Sequence, residues 1–253
     1  MSHASEGDPN MTADVVFLFD VDNTLLDNDQ IIADLREHLR REFGAASAEH
    51  YWSFIEDLRD ELGYVDYLGA LQRYRAVVEH DDASAQHLLG ISCFLLDYPF
   101  SERLYPGALE VLAHLGKVGP TVLLSDGDVV FQPLKVQRSG LWDAVEGRVL
   151  IYIHKEEMLD DVRQRYPARH YVMVDDKLRI LAAMKKILKS RLTTVFPRQG
   201  HYALDAQIVA AYPPADLSIA GIGDLREYDY RDGFKARTAT PRRGQTSGKD
   251  ASG

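Results

Sequence analysis

The sequence predicts an α/β fold in which a doubly wound parallel sheet is interrupted by an all-helical insert. Short, continuous apolar runs alternate with amphipathic helical segments, which is the pattern of a parallel sheet covered by helices on both faces. A proline-free, helix-rich stretch follows the first apolar run. The runs predicted as strands are VVFLFD (15–20), TVLL (121–124), VLIYI (149–153), YVMV (171–174) and LTTVF (192–196), with DLSI (216–219) as a weaker edge strand.

The segments between the later strands carry apolar residues at helical spacing. Leu109, Leu112 and Leu115 fall on one face of a helix, and Gly116 is placed as its stop signal. A second helix is predicted over residues 178–189 by the same periodicity. These helices supply the crossovers that a parallel sheet requires.

Residues 28–97 contain no proline and predict four helices that form a small bundle. Gly44 and Gly63 separate the helices. In an open α/β sheet, ligands bind at the carboxyl ends of the strands, so an insert that starts there can act as a lid over a site. The apolar stripes of the four helices lie within 31–43, 52–62, 68–78 and 88–96.

The predicted domain organisation has two short terminal tails around the core and the insert. The tail that begins at residue 231 carries Lys and Arg among Gly, Ser and Thr, with little apolar surface to bury, so we expect it to be disordered. The predicted ranges are a disordered N-terminus (1–12), an α/β core (13–26 and 101–230), a four-helix cap (27–100) and a disordered basic tail (231–253).

Composition limits the classes of partner. The net charge is −10, and an acidic protein repels phosphate backbones, so nucleic acid is not expected as a partner. No apolar run reaches the ~18 residues of a membrane span, and the N-terminus lacks a secretory signal. Cys93 is the lone cysteine, and its apolar neighbours predict a buried thiol. We therefore expect a cytoplasmic monomer or homodimer that acts on a small molecule, with no membrane partner.

The segment FLFDVDNTLLD (17–27) carries the strongest chemical signal. Asp20 and Asp22 lie where a buried strand ends, and Thr24 follows them. Two carboxylates ~4 Å apart repel by several kcal/mol at an effective dielectric constant of ~20, so a buried pair requires a cation, and oxygen ligands favour Mg²⁺. Alternatively, the two acids simply terminate the strand and begin a turn.

Four motifs in this order resemble those of the haloacid dehalogenase superfamily. The segment 20–25, DVDNTL, resembles the first motif, D-x-D-x-T. Ser125 after TVLL resembles the second motif, and Lys155 after VLIYI resembles the lysine of the third. Asp175 and Asp176 after YVMV resemble the acid pair of the fourth. The shared order of four motifs is far more specific than any one of them.

The resemblance covers nearly the whole chain except its termini. YPGA (105–108) resembles the usual re-entry to the core, and GLWD (140–143) resembles the G-L-x-x-F-D stretch of the family. The resemblance implies a Rossmann-like core with a helical C1-type cap, in the phosphatase branch of the superfamily. One departure is that residues 179–182 lack the further aspartate of many members, so metal binding would depend more on Asp175.

The resemblance also implies the roles of the motif residues. Asp20 would be the nucleophile that forms an aspartyl-phosphate, and Asp22 the general acid and base. Mg²⁺ would be held by Asp20, Asp176 and the backbone carbonyl of Asp22, with Asp175 tuning the metal. Ser125 would bind a phosphoryl oxygen and Lys155 would neutralise the charge at the nucleophile. The substrate-binding candidates are Thr24, Asp126, Gly127 and Asn28.

Each motif residue also has a structural explanation. Ser125, Asp126 or Asp128 could cap the next helix, and the Asp175–Asp176 pair could cap the helix that starts near residue 178. Lys155 is harder to explain in this way, because a cation at a helix start opposes the helix dipole. Lys135 and Lys177 are its rivals, but the first falls within a helical run and the second lies beyond the acids.

The choice of reaction rests on Asp22. Cleavage of a C–Cl bond releases chloride, which needs no proton, and the dehalogenases of this superfamily lack a residue equivalent to Asp22. The resembling phosphonate hydrolases use a cap lysine, whereas this chain has no lysine before Lys117. The expected function is Mg²⁺-dependent hydrolysis of a small-molecule phosphate monoester. A phosphosugar mutase on the same core and a non-catalytic binding module are the alternatives.

Overall fold

A computed structural model describes residues 12–77, 82–230 and 235–236 of the protein. Its centre is a six-stranded parallel sheet with the strand order β3-β2-β1-β4-β5-β6. The predicted α/β fold is confirmed, and the weak run at 216–219 forms the edge strand. The strands of this sheet are β1 (Ala13–Phe19), β2 (Thr121–Asp126), β3 (Val149–Tyr152), β4 (Ala168–Val174), β5 (Leu192–Pro197) and β6 (Leu217–Ile219).

Both faces of the sheet are buried, which explains why β1 reads as a continuous apolar run. Phe17 and Phe19 belong to a hydrophobic cluster shared with the helical insert and the helix at 108–115. Val16 and Leu18 point the other way, into a cluster with the helix at 178–188. Successive side chains of a strand alternate between its two faces, so a strand between two layers needs apolar residues throughout.

Helices cover the two faces of the sheet, as the alternating sequence pattern predicts. Four short 3₁₀ helices also occur, at Phe100–Arg103, Lys155–Glu157, Lys189–Arg191 and Ile222–Glu227. The α-helices of the core are α4 (Ala108–Leu115), α5 (Phe131–Arg138), α6 (Leu141–Ala144), α7 (Leu159–Arg165), α8 (Leu178–Leu188), α9 (Gly200–Leu204) and α10 (Ala206–Ala210).

The helical insert between β1 and β2 consists of α1 (Asn28–Leu62), α2 (Tyr67–Val77) and α3 (Asp82–Asp97). The helix α1 is interrupted at Gly44, whose φ of 79° and ψ of 162° are not helical. It ends at Gly63, which has a left-handed φ of 80°. The two glycines therefore divide residues 28–77 into three helical segments, which contain the first three apolar stripes of the sequence as far as residue 77.

The insert leaves and re-enters the core through two adjacent linkers. The amide of Asp27 donates to the carbonyl oxygen of Arg103 at 2.7 Å, and the amide of Tyr105 donates to that of Leu25 at 2.9 Å. These hydrogen bonds hold the two linkers, one leaving the core and one returning to it, side by side. The insert is thus attached at one point, next to the carboxyl end of β1.

Two sequence predictions are corrected. Cys93 is exposed rather than buried, because α3 is amphipathic and buries Ile91 and Leu95 on its other side. Lys235–Ala236 forms strand β8, which pairs antiparallel with β7 (Tyr228–Asp229), so these two residues of the predicted disordered tail are ordered. The rest of that tail, and residues 1–11 of the predicted disordered N-terminus, lie outside the described residues.

Strand register brings the ends of three strands to one edge of the sheet. Phe19, the last residue of β1, pairs with Leu123 in β2 and with Val174 in β4. The next residues along the three strands include Asp20, Ser125 and Asp175. The parallel pairing therefore delivers residues from distant parts of the sequence to one place.

None of the helices in the described part of the chain is both long enough and apolar enough to cross a membrane.

We predict that Gly107→Ala destabilises the fold more than Gly140→Ala. Both glycines precede a helix with a left-handed φ, of 84° and 82°, so both substitutions introduce the same backbone strain. A Cβ atom at Gly107 would lie 2.8 Å from the Cα atom of Gly223, whereas at Gly140 it would meet nothing within 4 Å. Urea denaturation should show an additional loss of about 1–3 kcal/mol for Gly107→Ala. Equal losses would contradict this packing account.

Candidate active site

Three buried carboxylates meet at the carboxyl edge of the sheet. Asp20 follows β1, and Asp175 and Asp176 follow β4. Each offers a carboxylate oxygen, and these three oxygens lie within 4.8 Å of one another. Asp175 and Asp176 are fully buried, and Asp20 is 4% exposed. The structure thus brings together acids that are more than 150 residues apart in the sequence.

The two acids of the fourth motif differ in their partners. Asp175 Oδ1 accepts a hydrogen bond from the amide of Lys177 at 2.8 Å, and Asp175 Oδ2 lies 2.8 Å from Lys155 Nζ. Neither carboxylate oxygen of Asp176 has a hydrogen-bond partner among the described residues. Buried polar atoms are rarely left unpaired, so Asp176 is poised to contact a group that the polypeptide itself does not provide.

Burial and the crowding of negative charge raise the pKa values of this pair. Burial is the main cause for Asp175, and together with the Asp20 carboxylate it outweighs Lys155 and raises the pKa to about 6. Burial also raises the pKa of Asp176 well above its usual value, and the neighbouring acids add to the effect. Ionisation of both carboxylates therefore destabilises the folded state.

Lys155 supplies the positive charge inside the acidic cluster. It begins the 3₁₀ helix after β3 and is only 2% exposed. Its Nζ lies 2.5 Å from Asp20 Oδ1 and 2.8 Å from Asp175 Oδ2. Burial lowers the pKa of Lys155, but these two carboxylates outweigh burial and hold the pKa above its usual value. Lys155 is therefore charged and faces the predicted nucleophile.

Thr24 connects the first and fourth motifs. Its hydroxyl donates to Asp20 Oδ2 at 3.1 Å and accepts from the amide of Asp176 at 3.0 Å. Thr24 was predicted as a substrate contact, but it is fully buried and both of its bonds are to the acids. In the structure it positions Asp20 instead.

Ser125, Asp126 and Gly127 lie at the end of β2. The buried Ser125 hydroxyl accepts from Gln132 Nε2 at 2.9 Å, and Asp126 Oδ1 accepts from the amide of Lys155 at 2.8 Å. Burial raises the pKa of Asp126. The capping role falls instead to Asp128, whose Oδ1 accepts from the amides of Val130 and of Phe131, the first residue of α5. Ser125 and Asp126 thus fix the loops on either side of Lys155.

Asp22 lies beside a second buried lysine, which sequence reasoning did not assign to the site. Lys135 Nζ lies 2.5 Å from Asp22 Oδ1 and 3.1 Å from Asn28 Oδ1, and Gln132 Nε2 lies 3.3 Å from Asp22 Oδ2. Lys135 and Gln132 lie on α5 and are buried. A lysine and a glutamine three residues apart share one helix face. Their spacing in the helical run therefore indicated that Gln132 and Lys135 would face the same neighbour.

A cavity of about 660 Å³ opens between the insert and the core. Four of the predicted site residues line it, namely Asp22, Asn28, Asp126 and Gly127. Asp20, Ser125, Lys155 and the acid pair lie behind this wall in the buried part of the site. The arrangement combines a space for a small organic molecule with a charged, enclosed reaction centre.

The acidic cluster fits a divalent cation. Three hard oxygen ligands converge, and the two lysines that act on them, Lys155 and Lys177, carry fewer positive charges than three ionised carboxylates carry negative ones. Asp20 and Asp176 are the residues best placed to hold an ion, since Asp175 is already engaged with Lys155 and with the amide of Lys177. Carboxylate oxygens are the ligands that Mg²⁺ prefers in proteins.

The sequence profile of the haloacid dehalogenase-like hydrolases matches residues 15–187, which is more than half of the chain. The chain belongs to this hydrolase family. A comparison with curated proteins finds no match.

Solved structures of the family share the fold. A protein from Burkholderia xenovorans LB400, assigned to the haloacid dehalogenase-like hydrolases, is 67% identical, with a TM-score of 0.80, over 86% of this chain and 99% of its own. A family hydrolase of Bacillus subtilis bound to magnesium is 16% identical, with a TM-score of 0.55 and coverages of 85% and 97%. The L-2-haloacid dehalogenase of Xanthobacter autotrophicus is 17% identical, with a TM-score of 0.53 and the same coverages. The last two resemblances concern the fold alone.

We predict that Asp176→Asn stabilises the metal-free protein at neutral pH by about 1–3 kcal/mol, because it removes a buried charge without a partner. A carboxyl with a raised pKa in the folded state opposes folding once it ionises. The gain should therefore shrink as the pH falls toward about 4, the pKa of the unfolded carboxyl, and vanish below it, where the carboxyl is protonated in both states. Urea denaturation at several pH values measures the difference.

Mg²⁺ should then stabilise the wild-type protein and leave Asp176→Asn unchanged, since only a ligand bound to the folded state shifts its stability. Asp160→Asn is the control, because its side chain is 98% exposed and should change neither the pH dependence nor the response to Mg²⁺. Equal stabilisation of all three proteins by Mg²⁺ would contradict the assignment of Asp176 to the ion.

Proposed function

We propose that the protein is a Mg²⁺-dependent phosphatase that hydrolyses a small-molecule phosphate monoester through an aspartyl-phosphate on Asp20. The observation that carries the proposal is the presence of Asp22 beside the buried cluster of Asp20, Asp175, Asp176 and Lys155, on the wall of the cavity. The proposed proton donor therefore lines the cavity, and the proposed nucleophile and cation-binding cluster lie in the buried part of the site behind its wall.

Asp22 favours phosphate chemistry over dehalogenation. A phosphate ester releases an alkoxide or phenoxide, which needs a proton, whereas a haloacid releases a halide that needs none. The Asp22 side chain is 25% exposed and reaches the cavity, while Asp20 is almost completely buried. This difference in exposure suits a donor that faces the leaving group and a nucleophile shielded from water.

The proposed reaction has two steps. In the first, a carboxylate oxygen of Asp20 attacks phosphorus, the bond from phosphorus to the leaving oxygen breaks, and Asp22 transfers its proton to that oxygen. In the second, Asp22 takes a proton from a water molecule whose oxygen attacks phosphorus. The bond to Asp20 then breaks, and Asp20 regains its carboxylate as inorganic phosphate leaves.

The surrounding residues hold the nucleophile and its charge. Lys155 on Oδ1 and Thr24 on Oδ2 fix both oxygens of Asp20, so the carboxylate is oriented before substrate arrives. The Ser125 hydroxyl is the donor proposed for a phosphoryl oxygen. Bound between Asp20 and Asp176, Mg²⁺ would supply the additional positive charge that the transferring phosphoryl group requires.

Asp22 is paired with Lys135, whose Nζ also donates to Oδ1 of Asn28, the first residue of α1. The ion pair holds the ionised Asp22 at the cavity wall, so Asp22 would take up a proton and release Lys135 before it acts as the acid of the first step. Movement of the insert therefore acts directly on the partner of Asp22. This contact gives closure of the insert a physical route to the proton donor.

Phosphate release from p-nitrophenyl phosphate tests the proposal. We expect turnover with Mg²⁺, none with a chelator, and a loss of at least about 10³-fold in Asp20→Asn, because the nucleophile is removed. The same protein should release no chloride from 2-chloropropionate. A screen of metabolite phosphates, measured by phosphate release, would identify the preferred leaving group.

Four results would contradict the proposal. Turnover that survives in Asp20→Asn would exclude the aspartyl-phosphate. Chloride release would indicate a dehalogenase. No phosphate release from any ester, with a folded protein and added Mg²⁺, would favour a non-catalytic binding module, and transfer to a second sugar hydroxyl instead of water would favour a mutase.

Asp22→Asn should affect the two steps differently. The p-nitrophenolate group leaves without a proton, so the first step should survive, whereas hydrolysis of the aspartyl-phosphate should slow by about 10²–10⁴-fold without its base. Stopped-flow measurements should then show a burst of one equivalent of p-nitrophenolate, followed by slow turnover. An alkyl phosphate should show no burst, because its leaving group needs the acid. Equal, burst-free losses with both esters would remove Asp22 from proton transfer.

A further inference from the structure

The cavity has a second charged region away from the acidic cluster. Arg59 lies in α1 of the insert, Lys177 directly precedes α8, and Tyr202 lies in α9. All three side chains line the cavity. Aromatic and aliphatic side chains form much of the remaining wall. These are Ile32, Tyr64, Val65, Tyr67, Phe131, Ile153, Ile208 and Tyr212.

Arg59 and Lys177 converge on the same tyrosine from two parts of the chain. A terminal nitrogen of Arg59 donates to the hydroxyl oxygen of Tyr202 at 2.8 Å. The Nζ atom of Lys177 lies 4.9 Å from the centroid of the Tyr202 ring. The tyrosine thus separates two cations that would otherwise repel each other.

These cations lack the carboxylate partners that the other cavity cations have. Arg179 pairs with Glu156 at 2.5 Å, and Lys135 pairs with Asp22 at 2.5 Å. Within the described part of the chain, no carboxylate lies in ion-pair contact with Lys177, although its ammonium interacts electrostatically with Asp176, Asp20 and Asp175. Arg59 has one loose contact of 3.6 Å, to a glutamate on its own exposed helix face. Positive charge at this end of the cavity is therefore available to a ligand.

The acids that line the cavity are already engaged. Asp22 binds Lys135, Asp126 accepts from the Lys155 amide, and Asp128 accepts from the amides of Val130 and Phe131. None of these three acids is directed at Arg59 or Lys177. An anionic ligand at the Tyr202 end would therefore face Arg59 and Lys177, and none of these three carboxylates lies there.

We propose that Arg59, Lys177 and Tyr202 form a subsite for a second anionic group, a carboxylate or a second phosphate, carried by the leaving group of the substrate. The inference rests on the proposed phosphatase function and narrows its substrate class. The substrate is a phosphate monoester whose alcohol or phenol bears an acidic group on an apolar, ring-sized body. Charge-assisted hydrogen bonds from Arg59 and Lys177 hold that group while the ester lies at Asp20.

If Arg59 only fastened the insert to the core, its replacement would have a different effect on substrate preference. A contact that merely fastens the insert to the core would support every substrate equally, whatever its charge. Discrimination between a charged and a neutral leaving group of the same shape therefore separates the subsite from a fastening contact.

The test compares 4-carboxyphenyl phosphate with 4-carbamoylphenyl phosphate, which has the same shape but lacks the charge. We expect the wild-type kcat/KM to favour the carboxylate by at least about tenfold, and Arg59→Met to reduce that ratio toward one. Tyr202→Phe, which keeps the ring and loses the hydroxyl that orients Arg59, should give an intermediate ratio. A third substrate, 1,4-phenylene bisphosphate, shows whether the subsite prefers a second phosphate to a carboxylate.

Arg40→Met is the matched control. Arg40 lies in the part of α1 before Gly44, is 57% exposed and has Glu37 as its ion-pair partner among the described residues, so its loss changes the charge of the insert without touching the cavity. Its substrate ratio should equal that of the wild type. A wild-type ratio near one, or the same loss of both substrates in Arg59→Met, would overturn the subsite while leaving the phosphatase intact. Failure to hydrolyse either ester would overturn the phosphatase itself.

Discussion

The structure depends on three carboxylates that are buried together with one lysine. Asp20, Asp175 and Asp176 lie within 4.8 Å of one another, and Lys155 contacts two of them. Lys155 and Lys177 together carry fewer charges than three ionised carboxylates, and burial raises the pKa values of Asp175 and Asp176. A divalent cation would compensate the remaining negative charge.

The fold creates this cluster through strand register and a single point of attachment for the insert. The parallel sheet brings the ends of β1 and β4 together, and a hydrogen bond from the amide of Asp20 to the carbonyl oxygen of Val174 fixes their alignment. The insert begins a few residues beyond Asp22, so the proposed proton donor lies between the acidic cluster and the insert. In the proposed mechanism, Asn28 and Lys135 would link binding of the leaving group to proton transfer.

The sequence predicted those features that depend on strand ends. Asp20, Ser125 and Asp176 follow apolar runs, and parallel strands bring their carboxyl ends to one edge, so their proximity followed from the pattern. Lys135 was not predicted as a site residue because it falls within a helical run. Periodicity identifies the buried face of a helix, but it does not identify the residues that this face contacts. The exposure of Cys93 and the internal role of Thr24 depended in the same way on packing partners that a one-dimensional pattern does not contain.

Anomalous diffraction from crystals grown with Mn²⁺ in place of Mg²⁺ tests the central claim most directly. The account predicts one anomalous peak with carboxylate oxygens of both Asp20 and Asp176 as ligands at about 2.0–2.3 Å, and with Lys155 still paired to Asp175. A cluster without a peak, in which Lys155 alone balances the three acids, would contradict the account.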